Sequence, residues 1–393
     1  MVAALAAGIS MLAVPPDAAY LSYADWHTIA CLFSMLAVIG ALRRMGVFDR
    51  LAKSAVQRFS GNRLLTAGTI VVVTALLSMV ATNDVALLMM LPLSAAVLLH
   101  SHWGRLIPAV FVLQGLAANL CGMIVPFGNP QNLYLYSCYG LHLEEFLGTM
   151  ALPFAVSCLF IAVVTAILCR KGRAGSTDES KGTAGAGDAK PVQYTGRVCE
   201  TIALPEAIAG PVPFSIGRLI AYVALFLLVV CSVFRIVPFA FATVAVVVVL
   251  FTLDRASLMR VDYPLLLTFL CFFVFAGNMA RIPAVVEGVE GLMNQSGLLT
   301  AALSSQIISN VPAAVLLSHF TDCWQPLLVG VNIGGAGTPV GSLASLIVIQ
   351  QFLNLRRSLG AKRRQGLESN RFWMLFLGLN GCALVLLLVV CSL

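Results

Sequence analysis

Charge is what this 393-residue chain has least of. Asp, Glu, Lys and Arg make up 10% of it, against roughly a quarter in a soluble protein of ordinary composition. With 60% hydrophobic residues and a mean hydropathy of +0.94, the scarcity excludes a water-soluble globular chain. The sequence also has no phosphate-cradling loop, no HExxH pair and no nucleophile with a base beside it. Catalysis is therefore not expected, and energy for any work must come from an ion gradient or a separate partner ATPase. Metal-type and disulfide-type cysteine spacings are missing too. The eleven cysteines fall mostly within apolar spans and read as small buried residues with free thiols. The five histidines are scattered; His100 and His102, beside Arg105, read as a helix-end surface. No basic stretch precedes the first apolar run, so no cleavable signal is evident.

What is there is a series of long apolar runs joined by short basic loops, the pattern of an all-α polytopic membrane protein lying in a lipid bilayer. The net charge of +7 is a topology signal rather than a nucleic-acid surface. The loops 43–63, 100–105, 170–218, 254–261 and 355–371 hold 22 of the 24 Lys and Arg. They share one side if 64–99 and 297–323 each return to the side they enter, and if 106–140 and 325–354 are each one interrupted crossing. The positive-inside rule makes that side cytoplasmic in an inner membrane. Arg235 and Arg281 fall opposite. Residues 1–16 form a short apolar run, Tyr20 to Trp26 an interfacial aromatic belt, and 47–62 an amphipathic surface helix.

The chain also repeats itself. A shift of 227 places Ser78, Thr82 and Asn83 on Ser305, Ser309 and Asn310. A shift of 213 places Asn119, Gly122, Pro126 and Gly128 on Asn332, Gly335, Pro339 and Gly341. A shift of 237 places Asp25, Gly40 and Arg44 on Asp262, Gly277 and Arg281. The expected organisation is a first repeat over 1–169, a flexible cytoplasmic linker over 170–213 rich in Gly, Ala, Ser, Asp and Lys, and a second repeat over 214–393. The halves enter from opposite sides, as inverted repeats of alternating-access transporters do. The second half has three spans before its hairpin and the first half two; either a span was lost or the start lies upstream.

Arm length decides the character of the second hairpin. Gly297–Ser309 and Val311–Cys323 each reach about 20 Å at 1.5 Å per residue, short of a ~30 Å hydrocarbon core. The Ser309-Asn310 tip must then end partway, against protein or a water-filled cavity. The first hairpin, 64–99, is read as re-entrant on the strength of the repeat, since 64–81 alone could reach ~27 Å. In each interrupted crossing, Gly and Pro should unwind the helix and leave backbone groups for an ion or an anion. One break is Val125 to Asn132, with Pro126, Gly128, Asn129, Pro130, Gln131 and Asn132. The other is Gly334 to Ser342, with Gly335, Gly337, Thr338 and Pro339. Asp84 is the one carboxylate expected near mid-membrane, where a charge costs ~3 kcal/mol or more, so it should be paired, hydrated or protonated, and functional. A carboxylic acid able to hold a proton there would suit proton coupling. Its counterpart is Val311. Gln306 and Asn278 could bridge helices or touch ligand, and Arg281 should reach for the interface.

Thr82-Asn83-Asp84, Gly128 to Asn132, Ser309-Asn310-Val311-Pro312 and Asn332 to Gly335 with Ser342 to Ser345 resemble the ion-transporter superfamily. That superfamily contains citrate transporters, divalent-anion/sodium symporters, arsenite permeases and a group of sodium/proton antiporters. The resemblance covers about 26–392. It implies two re-entrant helical hairpins and two interrupted transmembrane helices that enclose substrate and coupling ions, moving elevator-like against a homodimeric scaffold. The dicarboxylate symporters carry Ser-Asn-Thr at both tips. Asp84 and Val311 depart from that, and the Asn83-Asp84 pair at the first tip is more like the arsenite permeases.

The expected function is therefore secondary transport of a small anion or weak oxyacid, coupled to protons through Asp84. A sodium/proton antiporter and a non-transporting membrane sensor are the alternatives. Candidate binding residues are Thr82, Asn83, Asp84, Asn119, Gly128, Asn129, Gln131, Asn132, Ser309, Asn310, Asn332, Gly335, Thr338 and Ser342. Sodium, if it is the coupling ion, would sit at Asn83, Gly128, Asn310 and Gly337. No cofactor and no metal other than such an ion is expected.

Overall fold

A computed structural model describes residues 2–58, 62–170, 214–359 and 367–393. The expected linker, 170–213, lies outside these apart from its first residue. Among the described residues the chain is helical, without strands. The elements are α1 (Val2–Ala13), α2 (Tyr20–Tyr23), α3 (Trp26–Arg44), α4 (Val47–Arg58), α5 (Arg63–Ala81), α6 (Asn83–His100), α7 (Ile107–Cys121), α8 (Pro130–Cys138) and α9 (Leu143–Arg170). After the linker come α10 (Ile216–Val233), α11 (Phe239–Leu253), α12 (Arg255–Met259), α13 (Tyr263–Met279), α14 (Pro283–Ile308), α15 (Asn310–Leu317), α16 (Trp324–Ile333), α17 (Leu343–Ser358) and α18 (Ser369–Cys391). Among the described residues seven helices are long and apolar enough to cross a membrane, eight if the bent pair α13–α14 is one span. The molecule is an all-α polytopic membrane protein.

The helices sort into two packed groups. In one, α3 packs on α10 and α11, and α1 packs on α13. In the other, α5, α6 and α7 pack together with α9, α17 and α18, while α14, α15 and α16 pack on one another. Contacts that join the groups include α3 with α8, α13 with α15, and α4 with both α3 and α5, together with ring contacts of Phe127 with Phe226 and Phe234. Within the first group, Arg44 at the end of α3 is paired with Asp254, which also accepts a hydrogen bond from Ser257 Oγ at 2.6 Å. Arg281 is ion-paired with Asp17 at 2.7 Å and donates to Tyr23 Oη at 3.1 Å. Its guanidinium holds the Asp17 carboxyl below its ordinary pKa. Asn278 donates to Ser10 Oγ at 2.9 Å and so ties α13 to α1, while its Oδ1 is buried without a hydrogen-bond partner among the described residues.

The span over 104–124 is 94% buried, whereas α9, α10 and α18 are only 22–28% buried. The interrupted helix of the first half is thus the centre of the second group. Its periphery is apolar and unpartnered, as a lipid-facing surface must be.

The second hairpin differs in one respect from expectation. Its first arm belongs to a longer helix, α14, that begins at Pro283 and kinks at Ser296 (φ −161°, ψ 83°). Residues 297–308 form the arm, and 283–295 form an added helical segment before it. The two hairpins also differ in length. Both α5 and α6 are long enough to cross a membrane, whereas 297–308 and Asn310–Phe320 are not.

Candidate functional site

Each hairpin turns on one residue. Thr82 ends α5 with φ 64° and ψ 153°, and Ser309 ends α14 with φ 74° and ψ 155°. This backbone region belongs essentially to glycine and costs of order 1–3 kcal/mol for other residues. Only four non-glycine residues among those described have positive φ, and these two are the hairpin tips. The turn lets a new helix start at once, so Asn83 and Asn310 each occupy a first helical position. Backbone N–H groups at such a start have no helical partner and favour negative charge.

The first tip meets the first helix break at Gly122. A Cβ placed on Gly122 would lie 2.5 Å from Asn83 Oδ1 and 3.3 Å from both Asn129 Oδ1 and Ser78 Oγ. Only hydrogen fits there, and three polar side chains crowd the space. Gly128 is equally constrained, because a Cβ on it would lie 2.3 Å from the Gly122 carbonyl oxygen. Asn129 precedes α8, which starts at Pro130. Asn119, one turn before Gly122, abuts the other break: a Cβ on Gly335 would lie 2.4 Å from its Nδ2. Asn83 Oδ1 and both polar side-chain atoms of Asn119 and of Asn129 are buried with no hydrogen-bond partner among the described residues. Burying such groups unpaired costs about 1–3 kcal/mol each.

The second tip and break are satisfied instead. Asn310 N donates to Gly341 O at 3.0 Å, and Ser309 Oγ reaches the same carbonyl at 3.5 Å. Gln306, on the hairpin arm, donates to Gly334 O at 2.6 Å and Ala336 O at 3.0 Å. It accepts from Thr338 N at 2.8 Å, while Thr338 Oγ1 donates to Gln306 O at 3.1 Å. Gly337 has φ 112°, and a Cβ there would strike Gln306 Oε1 at 2.4 Å. Ser342 caps α17 by accepting from Ser345 N at 3.3 Å. Gln306 and Thr338 thus hold the break open, a role visible only once the fold brings them together.

Between the two breaks runs an amide bridge. Asn332 Nδ2 donates to Asn132 Oδ1 at 2.6 Å and to Leu328 O at 2.8 Å. Gln131 Nε2 donates to Asn332 Oδ1 at 3.4 Å, and Asn132 Nδ2 donates to Met123 O at 3.0 Å. The structure therefore places Asn83, Gly128 and Asn129 around the first break, and Asn119 reaches from the first interrupted helix to Gly335 of the second. Ser309, Asn310, Thr338 and Ser342 lie at the second, and Gln131, Asn132 and Asn332 join them. Asp84 follows the first tip, half-buried, and makes no hydrogen bond or ion pair among the described residues.

One feature escaped the sequence reading. A cleft of about 720 Å³ opens between α3, α8 and the α10–α11 turn, and is lined by Asp25, His27, Tyr134, Ser137, Arg235 and His319 among others. Arg235 Nη2 donates to Ser137 O at 2.6 Å. His27 Nδ1 lies 3.0 Å from Ser137 Oγ and its Nε2 3.3 Å from Ser232 O. With Nε2 donating to that carbonyl, Nδ1 accepts from the Ser137 hydroxyl. These residues come from four separate stretches of sequence, and only Arg235, isolated opposite the basic loops, carried a hint.

Comparison with known proteins fits this architecture. The citrate transporter family model matches residues 1–321. The chain is 31% identical to the inner membrane protein YbiR of Escherichia coli over 333 residues, covering 83% of this chain and 80% of that one. It is 28% identical to the uncharacterized transporter MJ0456 of Methanocaldococcus jannaschii over 327 residues, covering 83% and 81%. It is 25% identical to a 46 kDa membrane protein of Mycobacterium leprae, covering 83% and 78%. With seven or eight membrane-capable helices and this match, the chain is a multi-pass inner-membrane transporter rather than an enzyme, and belongs to the citrate transporter family.

Proposed function

We propose that the protein is a secondary active transporter for a small anion or weak oxyacid, coupled to protons through Asp84. The observation that carries this reading is the set of unpaired buried amides, on Asn83 and Asn129 beside the first tip and on Asn119 against Gly335 of the second break. The group offers both orphan carbonyl oxygens, which need donors, and orphan amide N–H groups, which need acceptors. A partly protonated oxyacid supplies both, through its O–H and its free oxygens. Asp84, unpartnered at the head of α6, stands one residue from Asn83, and the α6 N-terminus adds partial positive charge. A proton on Asp84 would remove the repulsion between its carboxylate and an arriving anion.

Residues 1–169 and 214–393 then act as two inverted repeats. Hairpins 64–99 and 297–323 with broken helices 106–140 and 325–354 make up a moving unit. The helices α1, α3 and α10–α13 make up the scaffold, paired with a second copy through its apolar face. The shared backbone conformation of Thr82 and Ser309 supports the repeat, and the sorting of the helices into two packed groups supports an elevator-like movement.

The test is uptake into proteoliposomes of labelled citrate and labelled arsenite, each under an imposed pH gradient. Uptake of one of them driven by the gradient and dissipated by a protonophore is the expected result. Gradient-independent or absent uptake of every oxyacid tried would overturn the reading. Sodium/proton exchange is the second reading, favoured by the approach of Asn83 Oδ1 and Asn129 Oδ1 to the same point at Gly122. It is distinguished by added Na⁺ collapsing a pre-formed pH gradient with no oxyacid present.

A further inference from the structure

The shift of 237 that places Arg44 on Arg281 also places Asp17 on Asp254. The ion pairs Arg44–Asp254 and Arg281–Asp17 are thus exchanged between the two halves. Shortly after each arginine comes a helix, α4 in the first half and residues 283–295 of α14 in the second. The same shift lays one on the other. Phe48, Ala52 and Val56, the buried stripe of α4, fall on Val285, Val289 and Met293, of which the first two are half-buried and the third buried. Residues four apart share one helix face, so both helices turn the same face inward. Their outward faces carry opposite charge. Arg50 and Lys53 fall on Glu287 and Glu290, and all four are exposed. Arg58 adds a third base to α4 against one acid, Asp49, whereas 283–295 contains no Lys or Arg.

Packing needs only the stripe, so the inversion of charge reflects what each helix meets outside the protein. Arg50 fixes where α4 meets it. Its guanidinium carbon lies 4.4 Å from the centre of the Phe214 ring. Phe214 is exposed, two residues ahead of α10, a span that is only 28% buried and so faces lipid. Arg50 therefore sits where a lipid-facing helix enters the bilayer, at the depth of the headgroups. Leu51 beside it is exposed as well. Arg50, Lys53 and Arg58 have no ion-pair partner among the described residues.

We propose that α4 is a binding site for the anionic headgroup of a phospholipid in the leaflet on the basic-loop side, with Arg50 as its primary ligand. Stacked on Phe214 by one face, the guanidinium keeps the N–H donors along its edge for a phosphate. Lys53 and Arg58 flank it, and each base at such a surface adds about fivefold to affinity. Leu51 and Phe214 offer apolar contact to the first carbons of the acyl chains. Because α4 touches both α3 and α5, the bound lipid sits at a joint between the two helix groups. The acidic counterpart, 283–295, lacks this ligand. The site does not depend on which solute the protein carries.

Purified full-length protein in micelles containing phosphatidylcholine can be titrated with phosphatidylglycerol. Bound lipid is counted by native mass spectrometry, and the melting temperature is followed in parallel. Phosphatidylglycerol should bind, and raise the melting temperature, at lower mole fraction than added phosphatidylcholine. Arg50→Gln should raise the half-saturating mole fraction about fivefold or more, and Arg50→Gln/Lys53→Gln/Arg58→Gln on the order of a hundredfold. Arg50→Lys should recover only part of the loss, because an ammonium neither stacks flat on Phe214 nor presents a fork of donors. Glu287→Gln/Glu290→Gln should leave the curve where it was. Micelles take the direction of membrane insertion out of the comparison, so a loss there is not an effect on topology.

The same half-saturation in wild type and the triple variant, or equal binding of the two lipids by the wild type, overturns the proposal. A shift in Glu287→Gln/Glu290→Gln as large as that in Arg50→Gln also overturns it, since net charge rather than α4 would then govern binding. Inorganic phosphate that displaces phosphatidylglycerol at comparable concentration and matched ionic strength would show a site for soluble phosphate and overturn the assignment to lipid. Melting curves in phosphatidylcholine alone separate these outcomes from misfolding. If the triple variant melts low there, the three single variants, each at an exposed position, carry the same comparison.

Discussion

Asn132 and Asn332, 200 positions apart, share a side-chain hydrogen bond: Asn332 Nδ2 donates to Asn132 Oδ1 at 2.6 Å. Each lies in a different interrupted helix, and each also holds a carbonyl of its own half, Met123 O and Leu328 O. The pair fixes the two breaks relative to one another in a buried setting. Removing one partner leaves the other unsatisfied, which costs about 1–3 kcal/mol. Asn332→Ala should therefore lower the melting temperature clearly, and Asn132→Ala should add little more in the double variant, because the shared bond is already gone. Additive losses in scanning calorimetry would show that the two amides act independently.

At Gly122 the space itself is the functional element. A Cβ would come within 2.5 Å of Asn83 Oδ1 and push the first tip away from the break. Gly122→Ala should reduce transport by about tenfold or more, the equivalent of ~1.4 kcal/mol at the site. Gly68→Ala, where a Cβ meets nothing within 4 Å, is the matched control and should transport normally. Initial uptake rates at equal protein density check both.

Thr82 carries strain without a compensating side-chain hydrogen bond. Glycine tolerates its backbone conformation, so Thr82→Gly relieves roughly 1–3 kcal/mol while glycine's greater unfolded-state entropy takes back about 1 kcal/mol. The variant should melt no lower than the wild type and still lose uptake, because a relaxed tip no longer holds Asn83 in place. A lower melting temperature would mean that the threonine side chain stabilises the tip.

Arg44 and Asp254 test the scaffold separately from the site. Asp254 is buried and Arg44 nearly so. Asp254→Ala strands a buried guanidinium and should destabilise by about 3–5 kcal/mol. Protein that survives purification should keep the wild-type KM, since neither residue approaches the amides. A changed KM with an unchanged melting temperature would relocate the pair to the transport pathway.

Much of this was legible in the residues because hydrocarbon punishes polar groups and broken helices. Arm length marked 297–309 as too short to cross, and Gly and Pro marked both breaks within a few residues of where the helices stop. The break positions follow from local chemistry, and local chemistry is what a sequence exposes. The segment 283–295 was missed because Gly288, Gly291, Glu287 and Glu290 interrupt any apolar run, and of its side chains only Met293 is buried. Length could not separate crossing from return in the first hairpin, where α5 and α6 have 19 and 18 residues. Gln306 was equally readable as a bridge or a ligand, because its bonds to Gly334, Ala336 and Thr338 exist only after the hairpin packs on the break. The cleft around Arg235 was invisible for the same reason. Nothing in the repeat foretold that the first break would keep its amides unpaired while the second satisfies its own.

Asp84 gives the most direct test of proton coupling. Proton movement and labelled oxyacid uptake should be recorded together in proteoliposomes containing wild type or Asp84→Asn, under an imposed pH gradient. We expect the wild type to move both. The isosteric variant, folded and with a similar melting temperature, should lose gradient-driven uptake and the accompanying proton flux. Asp84→Asn protein that still drives uptake from the gradient at the wild-type rate would contradict a proton-coupling role for this carboxyl group.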